Sequence, residues 1–395
     1  MKDEGKRKAR PVVPTRSTNV APRSSVRQLQ DSEFDFISRI KRRAEAARAR
    51  KADGLVYGIG DDAAVLIGRS GGRSGGRGGA RDGARGGRDS VVTADLLVED
   101  IDFRRTARPQ DIGYKALAVS LSDIAAMGAR PRWTLLSLGL PQDIYDSPFA
   151  QNIYEGFLAA AREFGVTLIG GDVSRTPERI VIDSIVIGET RRGQAVLRSG
   201  ARVGDQIYVT GTLGAAAAGL RLSEHANGLR TRAARTRLLS GLDPLVRRQA
   251  HPTPRVACGA LLGERRLASA MIDLSDGLSS DLAHLCERSG VGALVEAASL
   301  PVAPLLRQSG AANSSPFTRA LRADALDLAL HGGEDFELLF TVRPRIASRL
   351  PKRLGGVPLT RIGEVLAASE GVKLVRDGRA EILQPSGFDH FKRAN

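Results

Sequence analysis

Apolar and polar positions along this chain switch between a two-residue and a 3.6-residue period, so strands and helices both recur. Phe34, Phe36, Ile37 and Ile40 put an apolar stripe on a helix that Asp31 or Ser32 can cap and that runs to about Arg50. A short strand then ends in Gly58-Ile59-Gly60-Asp61-Asp62, and Ala63–Ile67 is a second apolar run. Arg69–Asp89 has no period and is mostly Arg and Gly, whereas Ser90-Val91-Val92-Thr93 resumes a strand at once. The spacing predicts a flexible loop between two strands. Asp111–Gly128 is helical by period, with Ile112, Ala116, Val119, Ile124 and Met127 among its apolar positions and Gly128 as its cap. Trp133–Leu140 reads as a strand and Asp146–Phe164 as a helix. Val166–Ile169 reads as a buried strand running into Gly170-Gly171-Asp172, and Ile180–Gly188 as a further strand.

Polar, turn-rich residues near 190–205 suggest a boundary. Beyond it the pattern predicts strand Gln206–Thr210, helix Leu213–Glu224 and a polar, Arg-rich stretch at 228–240. Strand Ala270–Ile272, helix Leu278–Arg288, strand Ala293–Glu296, helix Thr318–Leu330 and strand Phe336–Val342 follow. Mixed elements throughout define an α/β (α+β) protein. The expected organisation is a disordered basic tail over residues 1–31, an N-terminal domain over 32–192 carrying the insert 69–89, and a C-terminal domain over 193–395.

The net charge of +15 changes little in this picture, because it is uneven. Residues 1–31 hold eight Lys/Arg against three Asp/Glu, and residues 69–89 hold six Arg against two Asp. More than half of the excess therefore sits on two appendages, which argues against a globular surface built to grip nucleic acid. RNA binding through the tail and the Arg/Gly loop remains an alternative of another class. Neither segment contains the Phe, Tyr or Trp on which bases usually stack, so nucleic acid is not an expected partner. Cys258 and Cys286 are too few for a disulfide framework or a four-cysteine zinc site. No apolar run reaches the ~18 residues of a membrane span, and the charged N-terminus has no apolar region after it, so the expectation is a cytoplasmic protein without a membrane partner.

Aspartates recur where apolar strands run into glycine or small residues: Asp61-Asp62, Asp95, Asp172, Asp273 with Asp276, and Glu334-Asp335. Asp123 adds one inside a helix. Any one of these suits a cap or a turn, but as a set they suggest clustered carboxylates, which repel unless a cation intervenes. Oxygen-only donors select hard ions such as Mg2+, which carry phosphates. No histidine has metal-ligand spacing, which argues against zinc. Gly58-x-Gly60-x-x-Ala63 fits a dinucleotide fingerprint only formally, since Asp61 and Asp62 would oppose a bare pyrophosphate. No P-loop and no kinase HRD or DFG motif occurs. The residues alone point to a Mg2+-dependent enzyme of phosphorylated ligands.

Eight blocks, in order, resemble the thiamine-monophosphate kinases of the aminoimidazole ribonucleotide synthetase-like superfamily. They are GIGDDAAVL (58–66), TADLLVEDIDF (93–103), GYKALAVSLSDIAAMGARP (113–131), LIGGDVSRT (168–176), LRSGARVGDQIYVTG (197–211), IDLSDGLSSDL (272–282), GGEDFELLFT (332–341) and GFDHF (387–391). The resemblance implies ATP-dependent phosphorylation of thiamine monophosphate to thiamine diphosphate by direct transfer. It also implies a homodimer through the N-terminal sheet and several Mg2+ ions. By position it implies metal ligation by Asp62, Thr93, Ala94 (main chain), Asp95, Asp123, Asp172, Asp273 and Asp276. ATP contacts fall on Gly171, Asp172, Arg198 and Ser275, and substrate contacts on Asp102, Glu334 and Phe388. The residues expected to carry catalysis are Asp62, Asp123, Asp276 and Arg198. Two departures stand out: Ala94 where the family commonly has a hydroxyl, and Asp102 where it often has histidine. Within the superfamily, IDLSDGL with GGEDFELLF and GFDHF favours the thiamine enzyme over aminoimidazole ribonucleotide synthetase. The FKRAN ending lacks the C-terminal cysteine of the carbamoyl-dehydrating hydrogenase-maturation enzymes, and neither cysteine sits where selenophosphate synthetases have theirs.

Overall fold

The computed structural model describes residues 33–46, 54–68, 87–307, 315–388 and 390; the tail 1–31 and most of the insert lie outside them. The first sheet contains β1 (Leu55–Tyr57), β2 (Ala64–Ile67), β3 (Arg88–Val98), β4 (Arg130–Leu140), β5 (Thr167–Arg175) and β6 (Val181–Arg191), in the order β1-β2-β3-β6-β4-β5. Ile67 pairs with Asp89 across β2 and β3, so the insert connects neighbouring antiparallel strands, as the pattern on either side of it predicts.

The second sheet contains β7 (Gln206–Thr210), β8 (Ala270–Asp273), β9 (Val291–Glu296), β10 (Leu338–Val342), β11 (Arg353–Leu354), β12 (Val357–Ala367), β13 (Val372–Arg376) and β14 (Arg379–Ile382). Its order is β14-β13-β9-β12-β7-β10-β8, with β11 paired to β12.

Alternation explains the buried strands. In β6 every second residue from Ile182 to Gly188 is buried, the pattern of a strand with one face on a core. β5 corrects the sequence reading. Val166 is buried just ahead of it, but Ile169 and Val173 are 54% and 58% exposed. An apolar run marks a strand without saying whether anything covers it, and β5 ends the sheet with only β4 beside it. Two further differences are local. The single helix expected over Thr318–Leu330 is two, Pro316–Ala323 and Ala325–His331, meeting at Asp324, and the Arg-rich stretch at 228–240 contains a helix, Arg232–Leu239, capped by Thr231.

The helix Pro109–Ala126 links the two halves. Thirteen of its residues are buried, so it is covered on nearly all sides. Leu117, Leu121 and Ile124 enter the core of the first sheet. Ala125 and Ala126 join Cys258, Leu262, Met271, Leu338 and Phe340 of the second half. Its neighbour Pro148–Phe164 crosses it closely enough that a Cβ on Gly156 would lie 1.9 Å from the Gln110 carbonyl oxygen, and one on Gly113 1.8 Å from that of Ile153. Gly156→Ala should therefore destabilise the protein by about 1–3 kcal/mol despite alanine's better helix propensity, read as a lower denaturant midpoint.

Candidate functional site

Four stretches of chain converge between the sheets. Asp62 lies in the loop before β2, Thr93 and Asp95 on β3, Asp123 on the linking helix, and Asp273 at the last position of β8. Oxygens of Asp62, Asp123 and Asp273 all lie within 4.8 Å of one another. Thr93 Oγ1 donates to Asp123 Oδ2 at 2.5 Å, and Ser122 Oγ to Asp273 Oδ2 at 2.6 Å, the latter tying the two halves together. Arg198 reaches in from the segment between the sheets, its Nη2 2.5 Å and Nε 3.1 Å from Asp62 Oδ1.

This arrangement is electrostatically unfinished. Oδ2 of Asp62 and of Asp95 are buried without a hydrogen-bond partner. Burial, and after it the Asp62 charge, pushes Asp273 up to about 7. Burial also drives Asp95 to about 6, with Asp183, Asp102 and Asp62 adding repulsion, and raises Asp123 well above the usual carboxylate range, with Asp95, Asp273 and Asp62 adding theirs. Asp61 rises to about 6, through burial first and Asp62 second. One arginine opposes this crowd. Orphaned carboxylate oxygens within reach of one another are the donor set of a hard divalent cation, so the residues fit one.

On β3, Thr93 and Asp95 project to the helix-covered face, whereas Ala94 lies on the exposed one. Any ligation at Ala94 therefore falls to its main chain. Asp276 and Ser275 follow β8 in the turn before the helix Leu278–Ser289. Asp281, which the sequence reading passed over, accepts the N–H groups of Asp276 and Gly277 at 3.2 and 3.0 Å and so shapes that turn. Phe388 is brought to the same turn by the C-terminal segment. Its N–H bonds the Asp276 carbonyl at 3.1 Å, and the Gly387 N–H bonds Ser280 Oγ at 2.9 Å.

Glu334 adjoins this turn, since its N–H donates to the Ser275 carbonyl at 2.7 Å. Glu334 and Phe336 adopt left-handed backbone angles, φ 68° and 47°, which cost energy in non-glycine residues. Buried bonds on either side hold them there. Asp335 accepts the N–H groups of Gly214 and Ala216 at 2.6 and 3.2 Å. Glu337 is clamped by Arg248 at 2.7 Å, Thr210 at 2.6 Å and Arg255.

Two of the three expected substrate residues, Asp102 and Glu334, meet through a lysine that sequence reasoning missed. Lys115, buried on the linking helix, donates to Glu334 Oε1 and to the Asp102 carbonyl at 3.2 Å, while Gln249 donates to Glu334 Oε2 at 3.1 Å. A buried lysine demands a partner, but the sequence does not show that it is buried. The Asp102 carboxylate itself accepts the Val98 N–H at 2.7 Å, holding the turn after β3.

Gly171 and Asp172 are not brought to the cluster. They lie on β5, three strands from β3, which at normal strand spacing is about 14 Å across the sheet.

The model of the AIR synthase related protein N-terminal domain matches residues 60–190, and that of its C-terminal domain matches residues 202–375. Fold and site thus define a two-domain protein of the AIR synthase related class. The thiamine-monophosphate kinase of Salmonella typhimurium is 37% identical over 363 residues, 91% of this chain and 98% of its own. The structure of AaThiL complexed with AMPPCP and TMP is 30% identical, with a TM-score of 0.70 over 91% of this chain and 97% of that one. The thiamine-monophosphate kinase structure from Stenotrophomonas maltophilia is 39% identical, with a TM-score of 0.63 over 88% and 98%. The chain belongs to the thiamine-monophosphate kinase family.

The raised carboxylates make a signed pH prediction. Between about pH 4 and 7 the folded protein retains protons that the unfolded chain releases, so stability falls as pH rises through that window. Calorimetry without divalent cations should show the melting temperature dropping from pH 5.5 to 8. Mg2+ should restore it at pH 8 and change little at pH 5.5, and Asp273→Asn should shrink the difference.

Proposed function

We propose that this enzyme transfers the γ-phosphoryl group of ATP directly to the phosphate of thiamine monophosphate, yielding thiamine diphosphate. The observation that carries the reading is the buried Asp62–Asp123–Asp273 cluster with its orphaned oxygen, set at the junction of two domains in a chain of this family. The acceptor oxygen belongs to a phosphate monoester, already mostly ionised at neutral pH because its second pKa is about 6. It needs no general base, which accords with a cluster of aspartates, Asp62, Asp123 and Asp273, as the core of the site. The obstacle is repulsion between two polyanions, so positioning and charge compensation carry the rate.

Asp62, Asp123 and Asp273, with Thr93, Asp95 and Asp276 around them, would hold Mg2+, which when bound supplies positive charge to the reacting phosphates. Arg198 adds a fixed cation that already spans to Asp62. Ser275, beside Asp276, would meet the nucleotide. Glu334, Asp102 and Phe388 would receive the thiamine end, where an aromatic face suits a cationic thiazolium. Glu334 does so in partnership with Lys115 and Gln249 rather than as a free counter-ion.

A homodimer through the first sheet completes the reading. β5 offers an uncovered edge with exposed Ile169 and Val173, and the expected ATP contacts Gly171 and Asp172 lie on it. Domain limits of 32–192 and 193–395 fit the break between β6 and β7, and the cytoplasm is where ATP and the phosphorylated acceptor would meet. Among the described residues no helix is long and apolar enough to cross a membrane.

Single-turnover transfer from γ-labelled ATP to thiamine monophosphate, with thiamine in parallel, tests the reaction. Label should appear in thiamine diphosphate alone and fall about 100-fold or more in Asp62→Asn and Asp276→Asn. ATP hydrolysis that requires some other phosphorylated acceptor would overturn the substrate. Lys115→Met should raise KM for thiamine monophosphate about tenfold or more, since a buried charged hydrogen bond is lost, and should leave KM for ATP nearly unchanged.

A further inference from the structure

Beside the carboxylate cluster lies a second feature that the reaction above does not use. A cavity of about 420 Å³ opens between the helix Glu33–Ala46, the stretch Leu55–Asp61, Ser199 and Arg288. Leu55, Val56, Tyr57, Ile59 and Ala44 give it an apolar wall. Its polar groups are Lys41, Arg288 and Ser199, with the acids Asp61 and Glu45 also present. Asp61 Oδ1 is already engaged by the N–H groups of Arg198 and Asp62, at 3.1 and 3.2 Å.

The two cations converge on one point. Gly60 has φ +113°, and the position of a Cβ there is 2.7 Å from Arg288 Nη2 and 3.1 Å from Lys41 Nζ. The charged heads are therefore no more than about 6 Å apart, where like charges repel. Neither forms a hydrogen bond or ion pair with any described residue, although solvent is open to both. Two flexible side chains free to separate instead aim at the same glycine, above backbone that a side chain would have blocked. His284, one turn before Arg288 on the same helix, is held neutral by burial and by the charges of Arg198 and Arg288, so the positive field extends along this side of the site.

We propose that Lys41 and Arg288 form an anion site that takes a phosphate group, with the apolar wall and Tyr57 flanking whatever the phosphate carries. Cations paired across a glycine turn, a hydroxyl from Ser199 and a partly apolar cavity are the usual ingredients of phosphate-ester recognition. The cavity touches the cluster through the Asp61-Asp62 and Arg198-Ser199 peptides, so a phosphate here sits next to the reacting centre. Two sources share this chemistry: a phosphate of the bound nucleotide, or a free phosphate anion. The inference does not depend on thiamine monophosphate being the acceptor.

The test uses the full chain without divalent cations, where the carboxylate cluster repels anions. Inorganic phosphate at about ten times its dissociation constant should raise the melting temperature by about 2 °C, with sodium chloride at matched ionic strength as control. Arg288→Gln and Lys41→Gln should each at least halve that rise, and the double variant should abolish it. Melting temperatures without phosphate report whether each variant folds, and the single variants suffice if the double does not. KM for ATP then separates the sources. An increase of about tenfold in the variants, with KM for thiamine monophosphate unchanged, assigns the site to the nucleotide. An unchanged KM for ATP, with the phosphate effect lost, assigns it to a free anion. A phosphate shift that survives in both single variants, or that chloride reproduces, overturns the proposal.

Discussion

Carboxylates packed together largely out of solvent repel, and the folded chain must keep them together against that repulsion. The helix Pro109–Ala126 does most of this. Small residues on it, with Gly156 opposite, let it lie against both its neighbouring helix and the second half of the chain. It thereby carries Asp123 to Asp62 and Asp273, and Ser122 to the Asp273 carboxylate, with Lys115 two turns away toward Glu334. The packing energy of two domains stabilises a site that would be unfavourable in isolation. A proton, or the Mg2+ proposed above, would relieve what remains, and the competition between them would set the pH dependence.

The same economy of position appears at the loop Glu334–Glu337. Left-handed backbone at Glu334 and Phe336 is held by buried bonds to Asp335 and Glu337, whose partners come from β7, the start of the helix Ala215–Asn227, and the segment Arg248–Arg255. Strain is placed where the substrate end of the site is expected, and the compensating contacts lie behind it. Removing either arginine would leave a buried carboxylate short of its charge partner, which is costlier than losing a surface pair.

Lys41 and Arg288 show a different logic from Arg198. Arg198 is nearly buried and neutralises Asp62, so it belongs to the carboxylate cluster as built. The other two converge and have no hydrogen bond or ion pair among the described residues, and on the proposal above their charge is available to an anion that arrives. Together the three place positive charge on one side of the cluster, the side from which a polyanion would approach.

By itself the sequence determined the alternation of elements, the two-domain division, and the acid-bearing turns after apolar strands, because period, turn chemistry and motif order are local properties. Asp62, Asp123 and Asp273 were legible as candidates for that reason. What joins what was not local. That β5 is an uncovered edge, that Asp172 lies about 14 Å across the sheet from β3, and that Asp102 spends its carboxylate on a backbone N–H depend on which strands neighbour which. Lys115 and Asp281 look like ordinary helix residues until the second domain buries them. Tertiary structure decided these points because burial and partnership arise from contacts between segments that are far apart in the chain.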